Sequence, residues 1–258
     1  MQIMINEIRR WMKEAGEIIK TALQEDRLTV DTKSSRKDLV TNLDRQTQDY
    51  LIEQVRTFDP EAKILGEENG KDQMENLAGR VFIIDPIDGT MNFVLEHENF
   101  CIMMAVYEDG KGVLGFVYDV MKGDFLWGGK DIGVYLNEER VPKPADVPLK
   151  EGLIGMNAAM YAKNMCNAQT MGNQSMGVRM SGCAGVELMG MILGRRVGYV
   201  SHLAPWDYAA GGVLLEALGM KMSNIYGEPL KIAGRERFLA GTPSAYQEML
   251  ALSLQTKI

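Results

Sequence analysis

Arg80-Val81-Phe82-Ile83-Ile84-Asp85-Pro86-Ile87-Asp88-Gly89-Thr90 joins a strand signal to a chemical one. Val81 to Ile84 are consecutive apolar residues, mostly β-branched, the composition of a strand covered on both faces. Where the apolar run ends, two carboxylates stand three residues apart, followed by Gly-Thr. Pro86 stiffens the turn, and the carbonyl of Ile87 can face the same way as the carboxylates. Gly89 lets backbone N–H groups approach an anion closely. The result is a compact, oxygen-rich corner of the kind that suits a hard divalent cation. An Asp-Gly turn that only ends a strand uses the same residue types, so the corner gains meaning from its neighbours.

Upstream, Ile5, Ile8, Trp11, Met12, Ala15, Ile18, Ile19 and Ala22 recur at helical spacing. Polar Thr29 to Lys37 reads as a loop. A second helix is expected from about Leu43 to Phe58, ended by Asp59-Pro60 because the residue before proline leaves helical geometry. A short strand is expected at Lys63 to Leu65. Downstream, strands are expected at Phe100 to Tyr107 and Val113 to Tyr118, around an Asp109-Gly110-Lys111-Gly112 turn. Asp124 to Trp127 and Val134 to Leu136 follow as shorter strands. Pro142, Pro144 and Pro148 fall close together and mark a boundary between two halves, 1–145 and 146–258. In the second half, Leu153 to Met156 and Val197 to Val200 read as strands. Val186 to Leu193 and Tyr208 to Leu218 read as helices, and Thr242-Pro243 opens a last one.

Composition narrows the chemistry. The 258 residues are 46% hydrophobic and 24% charged, ordinary for a globular chain. No apolar run approaches the ~18 residues of a membrane span, so no membrane partner is expected and a cytoplasmic location is the default. Cys101, Cys166 and Cys183 are widely separated, and only His97 and His202 are histidines. A disulfide framework and a thiolate or histidine-rich metal site are therefore not expected. Any metal must be held mainly by oxygen, which suits hard cations such as magnesium or manganese. A net charge of −7 argues against a broad nucleic-acid-binding face.

Three further acidic corners accompany the first. Gly66-Glu67-Glu68 ends a strand, Pro205-Trp206-Asp207 starts a helix, and Asp44 follows Leu39-Val40-Thr41-Asn42-Leu43. Each alone is a routine cap or turn. Together they resemble the inositol monophosphatase family, the lithium-sensitive, magnesium-dependent phosphatases. Asp85 to Thr90, extended through Asn92 and Phe93, is similar to that family's first signature. Trp206-Asp207-Tyr208-Ala209-Ala210-Gly211-Gly212 is similar to its second. The resemblance spans essentially the whole chain.

The resemblance implies an α+β fold, a layered α-β-α-β-α sandwich with metals between the halves, and commonly a homodimer. It implies two or three Mg2+ ions, one held by Glu67, Asp85 and the Ile87 carbonyl, another by Asp85, Asp88 and Asp207. Thr90 and Asp44 match the pair that orients the attacking water, with Glu67 counted beside them in the catalytic set. Gly89 and Thr90 would offer N–H groups to the phosphate. Gly182, Cys183 and Ala184 match a substrate-contacting turn, alongside Asp88 and Asp207. Lys33-Ser34-Ser35 matches a mobile loop near the metals. The implied substrate is a small phosphorylated polyol or sugar, first of all inositol 1-phosphate.

Such a cluster also makes independent physical sense. A phosphate dianion repels hydroxide, and bound cations both neutralise charge and acidify water. Carboxylates packed together repel one another unless cations are present. One departure from the family concerns specificity. Members specialised for inositol phosphate carry a glutamate six residues before the signature tryptophan, and that position is Val200. Hydroxyl recognition is then expected from elsewhere: from Ser201, from His202, or from a neighbouring subunit. Fructose-1,6-bisphosphatase, NADP phosphatase and adenosine-bisphosphate phosphatase activities share the metal core, and a regulatory or RNA-associated role on the retained fold is the alternative from another class. An aspartyl-phosphate mechanism needs Asp-x-Asp, whereas this spacing is Asp85-x-x-Asp88.

Overall fold

The computed structural model describes residues 1–25, 27–32, 39–68 and 76–255. Helix α1 (Gln2–Gln24) buries the apolar stripe seen in the sequence, from Ile5 to Ala22. Strands β1 (Val30–Thr32) and β2 (Leu39–Thr41) pair antiparallel. Val30 to Thr32 was expected to be loop. Its residues are exposed and polar-flanked, so pairing with β2, not burial, makes it a strand. Helix α2 (Asn42–Phe58) follows at once, capped by Thr41 and Asp44, and its last turn is closed at Asp59.

Seven strands make the first sheet: β3 (Lys63–Gly66), β4 (Arg80–Asp88), β5 (Cys101–Glu108), β6 (Lys111–Asp119), β7 (Asp124–Gly129), β8 (Gly133–Leu136) and β9 (Glu139–Arg140), in that spatial order. Only β3 and β4 run parallel. A short helix, α3 (Thr90–Glu96), leaves the end of β4. The second sheet has the order β11 (Gly177–Arg179), β10 (Leu153–Met156), β12 (Gly198–Leu203), β14 (Glu236–Gly241), β13 (Lys221–Asn224). Helices α4 (Ala158–Ala162), α5 (Ala168–Gln174), α6 (Ala184–Ile192), α7 (Pro205–Ala217) and α8 (Pro243–Leu254) complete the fold.

Three apolar clusters stack these elements into layers. Phe82, Ile84, Ile102, Met104 and Phe116 face α1 and α2. Val81, Ile83, Met103, Ala105 and Val117 lie on the opposite face of the same sheet, against Leu188, Tyr208, Ala210 and Leu214 of α6 and α7. Tyr199, Leu203 and Phe238 close that layer from the second sheet. On the other face of the second sheet, Ile154, Val200 and Leu239 pack against Met160, Met171 and Met249 of α4, α5 and α8. The order is helix, sheet, helix, sheet, helix, an α+β sandwich. The run Val81 to Ile84 is apolar throughout because both faces of β4 are covered. Helix α7 can lie this close because a Cβ at Gly115 of β6 would stand 2.2 Å from the Ala210 carbonyl oxygen. Among the described residues, no helix is long and apolar enough to cross a membrane.

Candidate active site

In a regular strand, residues three apart point to opposite faces. Asp85 and Asp88 do not, because β4 carries a bulge between them. Asp85 pairs with Met103 and Asp88 with Cys101, so Pro86 and Ile87 together oppose the single residue Ile102. The extra residue turns both carboxylates to the face shared by Met103 and Cys101, and Ile87 to the α1–α2 side. Proline is tolerated there because a bulge leaves an N–H unpaired in any case. The Ile87 N–H donates to Asp85 Oδ1 at 3.1 Å, which holds the turn closed. Gly89 then sits at φ +87°, and a Cβ on it would stand 2.9 Å from Cys183 Cβ. Only glycine meets both demands.

Asp88 is held by three donors from the start of α6: the Cys183 thiol at 3.0 Å, the Ala184 N–H at 3.3 Å, and the Gly185 N–H. Cys183 and Ala184, expected to contact substrate, line the cavity but spend these donors on Asp88. Gly182, at φ +77°, also lines it and packs against Asn92, whose amide donates to the Ser181 carbonyl at 2.7 Å. Glu67 follows β3, its N–H donating to the Ile84 carbonyl at 3.3 Å beside Asp85. The turn is clamped by Gln48 of α2, which accepts from the Glu68 N–H at 2.8 Å and donates to the Glu68 carbonyl at 2.5 Å. Asp207 lies in the first turn of α7 and accepts from the Ala204 N–H at 2.8 Å.

One carboxylate oxygen each from Asp85, Asp88 and Asp207 lies within 4.8 Å of the others, and all three residues are buried. Such crowding disfavours charge. Burial, then Glu67, Asp88 and Asp207, drives the Asp85 pKa well up. Asp88 is raised by burial against the pull of its Cys183, Gly185 and Ala184 donors. Asp207 is pushed up to about 7, by burial first and Asp88 second, with Arg235 and the Ala204 N–H opposing. Asp85 Oδ2 is buried and has no hydrogen-bond partner. An orphaned oxygen among carboxylates that resist ionisation fits the coordination of a divalent cation. The donor set is all oxygen, which suits Mg2+ or Mn2+.

Asp44 stands apart from this cluster and joins it through Thr90. Its Oδ2 accepts from the Thr41 N–H at 2.8 Å and the Thr41 hydroxyl at 2.5 Å, and its Oδ1 lies 3.3 Å from Thr90 Oγ1. The Thr90 hydroxyl is also 3.1 Å from the Ile87 carbonyl. Lys33, expected in a loop near this site, lies outside the described residues.

A cavity of about 530 Å3 opens over these groups and is lined by Glu67, Asp85, Asp88, Thr90, Asp207 and the Ser181–Ala184 turn, among others. The inositol monophosphatase family model matches residues 1–258. The chain belongs to the inositol monophosphatase family. The inositol-1-monophosphatase of Bacillus subtilis is 38% identical over 94% of this chain and 94% of that protein. The fructose-1,6-bisphosphatase/inositol-1-monophosphatase of Thermotoga maritima is 30% identical over 77% and 76%. The Nus factor SuhB of Escherichia coli is 28% identical over 97% and 96%. A solved IMPase/NADP phosphatase complexed with Mg2+ and phosphate superposes with a TM-score of 0.91 at 28% identity, covering 99% of this chain and 96% of that one.

As an inositol monophosphatase-family phosphatase, the protein has one wall, built on β12, that matters for specificity. Val200 does not reach the cavity. It is fully buried on the α8 side of β12, among Ile154, Leu239 and Met249, while Tyr199, Ser201, His202 and Leu203 line the opening. β12 runs to Leu203 rather than ending at Val200, and strand alternation sends Val200 to the core. A glutamate at this position would be buried in apolar surroundings instead of meeting a substrate hydroxyl. Two residues escaped sequence reading altogether. Gln48 looks like any helix-surface glutamine, and Arg235 is distant in sequence from every motif. Arg235 Nη1 nevertheless donates to Asp207 Oδ2 at 3.1 Å.

Proposed function

We propose that the chain hydrolyses small phosphate monoesters in a Mg2+-dependent reaction, with inositol 1-phosphate the first candidate and fructose 1,6-bisphosphate and NADP the next. Asp85 carries the reading, through its buried, partnerless Oδ2 in a cluster whose carboxylates resist charge. Glu67, Asp85 and the Ile87 carbonyl would hold one ion, and Asp85, Asp88 and Asp207 a second, with Mn2+ a possible substitute. Bound cations would neutralise the carboxylates and lower the pKa of water toward neutrality.

The chain's own residues supply the rest. With its hydroxyl proton directed at Asp44 Oδ1, Thr90 presents an oxygen lone pair to a water in the cavity. That water is oriented and relieved of a proton along Thr90 Oγ1 to Asp44 Oδ1, a general-base path. Gly89 and Thr90 open the first turn of α3, whose leading N–H groups lack helical acceptors and would donate to phosphate oxygens. Phosphate release from the three compounds by the purified chain, with Mg2+ and with chelator, is the test. No Mg2+-dependent release from any of them would sink the reading.

A homodimeric state and lithium sensitivity belong to the same reading, checked by light scattering and by inhibition with LiCl. A cytoplasmic location belongs to it as well. The relatives named Nus factor favour a second reading, a regulatory or RNA-associated role on the retained fold. Direct binding of the purified chain to RNA tests that one.

A further inference from the structure

Among the described residues, Arg235 is the only lysine or arginine lining the cavity, whose other charged groups include Glu67, Asp85, Asp88, Glu187 and Asp207. Its side chain is half exposed while it pairs with Asp207, which is nearly buried. The loop that presents it is anchored. The Tyr208 hydroxyl donates to the Lys231 carbonyl at 2.8 Å, and the Lys231 N–H donates to Glu236 Oε1 at 2.5 Å. His202 is paired with Arg237 across β12 and β14, one residue from the Leu203–Glu236 pair. His202 and Arg235 thus share the rim beside an acidic floor, and burial first, then Arg235 and Arg237, lowers the His202 pKa. On β12 itself, Val200 faces the core and offers nothing to a neutral polyol.

The Arg235–Asp207 pair is conditional. Asp207 also belongs to the cluster whose oxygens meet within 4.8 Å, so a divalent ion competes with a singly charged, water-exposed guanidinium for the same carboxylate. A freed guanidinium at the cavity mouth matches phosphate geometry through two parallel N–H donors. We propose that Arg235 is the specificity-determining residue of this site: divalent cations displace it from Asp207, and it then takes a second phosphate group of the substrate. The chain accordingly prefers phosphate monoesters that carry another phosphate over neutral polyol monophosphates. The inference rests on the phosphatase reading for which ester is cleaved, but its test reads binding.

Titration calorimetry with Ca2+ in place of Mg2+ compares fructose 1,6-bisphosphate with inositol 1-phosphate, on the wild type, Arg235→Gln and Arg235→Lys. The wild type should bind the bisphosphate about tenfold more tightly, the equivalent of one charge-assisted hydrogen bond. Arg235→Gln should bring that ratio to about one, and Arg235→Lys, which keeps the charge and loses the fork, should fall between. Titrated with Mn2+ alone, Arg235→Gln should bind the ion severalfold more tightly than the wild type, because a competing cation is gone. A wild-type ratio at or below one, binding of neither compound, or a ratio untouched by Arg235→Gln would overturn the proposal. So would unchanged Mn2+ affinity. An intact bisphosphate preference without phosphate release from either compound would remove the phosphatase reading and leave this inference standing.

Discussion

Asp88 and Asp207 belong to one carboxylate cluster, yet the chain holds them in opposite ways. Asp88 is fixed at the β4 bulge by three donors from the start of α6, none of them a mobile charge. Asp207 has one backbone donor and a half-exposed guanidinium from a distant loop. The bulge corner is set before any ligand arrives, because its contacts are backbone or buried. The α7 edge is adjustable, because its charge partner can leave for water or for another anion. Preorganisation on one side with adjustability on the other suits the proposed reading, in which the bulge corner would fix cations and the α7 edge would admit different substrates.

The largest effect that would sharpen this contrast comes from Asp85→Asn. Asp85 Oδ2 has no partner, so the amide enters without breaking a contact to that oxygen. Turnover should fall roughly 10³-fold or more, the loss expected when several kcal/mol of cation-based stabilisation disappear. The metal-free variant should melt higher than the wild type at pH 8, because one repelling charge is removed. Asp88→Asn should lower both activity and melting temperature, since its amide N–H2 would face the Cys183, Ala184 and Gly185 donors. Equal melting shifts in the two variants would erase the distinction between a bare and a saturated carboxylate.

The pH dependence of the metal-free protein is the next largest effect. Asp207 moves from an ordinary value of 3.8 up to about 7. Between those values the folded chain keeps a proton that the unfolded chain has lost. Stability therefore falls as pH rises through this window and levels off above about 7. Three or so pKa units at 1.36 kcal/mol each set a ceiling of about 4 kcal/mol. Asp85 and Asp88 shift in the same direction and add to the trend. Melting curves of wild type and Asp207→Asn from pH 4.5 to 8 isolate the contribution, and saturating Mg2+ should flatten the wild-type profile. A metal-free wild type whose melting temperature relative to Asp207→Asn does not decline with pH would contradict the crowding argument.

The two regions were not equally legible in the sequence. The β4 corner could be read because its parts are local: an apolar run, two aspartates, a proline and a glycine within eleven residues. Spacing alone would have sent Asp85 and Asp88 to opposite faces, and only the pairing register reveals the bulge that unites them. Periodicity located most helices and strands, and the layered fold was legible only through the motifs that the family shares. Val30 to Thr32 was missed because an exposed polar strand has no apolar signature, only a partner. That β12 continues past Val200 to Leu203, and with it the facing of each residue, was not legible because it depends on pairing with β14 far along the chain. Arg235 and Gln48 were invisible for a similar reason: both act through contacts with residues that lie at least twenty positions away.

Thr90→Ala tests whether the bulge corner also manages a proton. The hydroxyl links the cavity to Asp44 Oδ1, and its loss should cost roughly 10²–10³ in the chemical rate. Thr90→Ser should restore most of it, because the hydroxyl returns without the methyl. Mg2+ affinity should hardly change, since no candidate ligand is removed. If Mg2+ affinity collapses with the rate, Thr90 serves to shape the turn through its contact with the Ile87 carbonyl.

The smallest predicted effect comes from the clamp behind Glu67. Gln48 is buried on α2, and its amide both accepts from the Glu68 N–H and donates to the Glu68 carbonyl. Gly66 admits that amide because a Cβ there would stand 2.5 Å from Gln48 Oε1. Gln48→Ala removes the partner of both backbone groups and should cost about 1–3 kcal/mol of stability. The turn that carries Glu67 would then lose its clamp, and Mg2+ affinity should fall about three- to tenfold, a change of up to 1.4 kcal/mol. Gln48→Glu separates the two contributions. Its carboxylate can still accept from the Glu68 N–H but cannot donate to the carbonyl, so part of the stability should return. Calorimetric Mg2+ titration beside thermal melts reads both quantities on the same samples. Lower stability with unchanged Mg2+ affinity would show that Glu67 is placed without the Gln48 clamp, and that the bulge corner needs no support from α2.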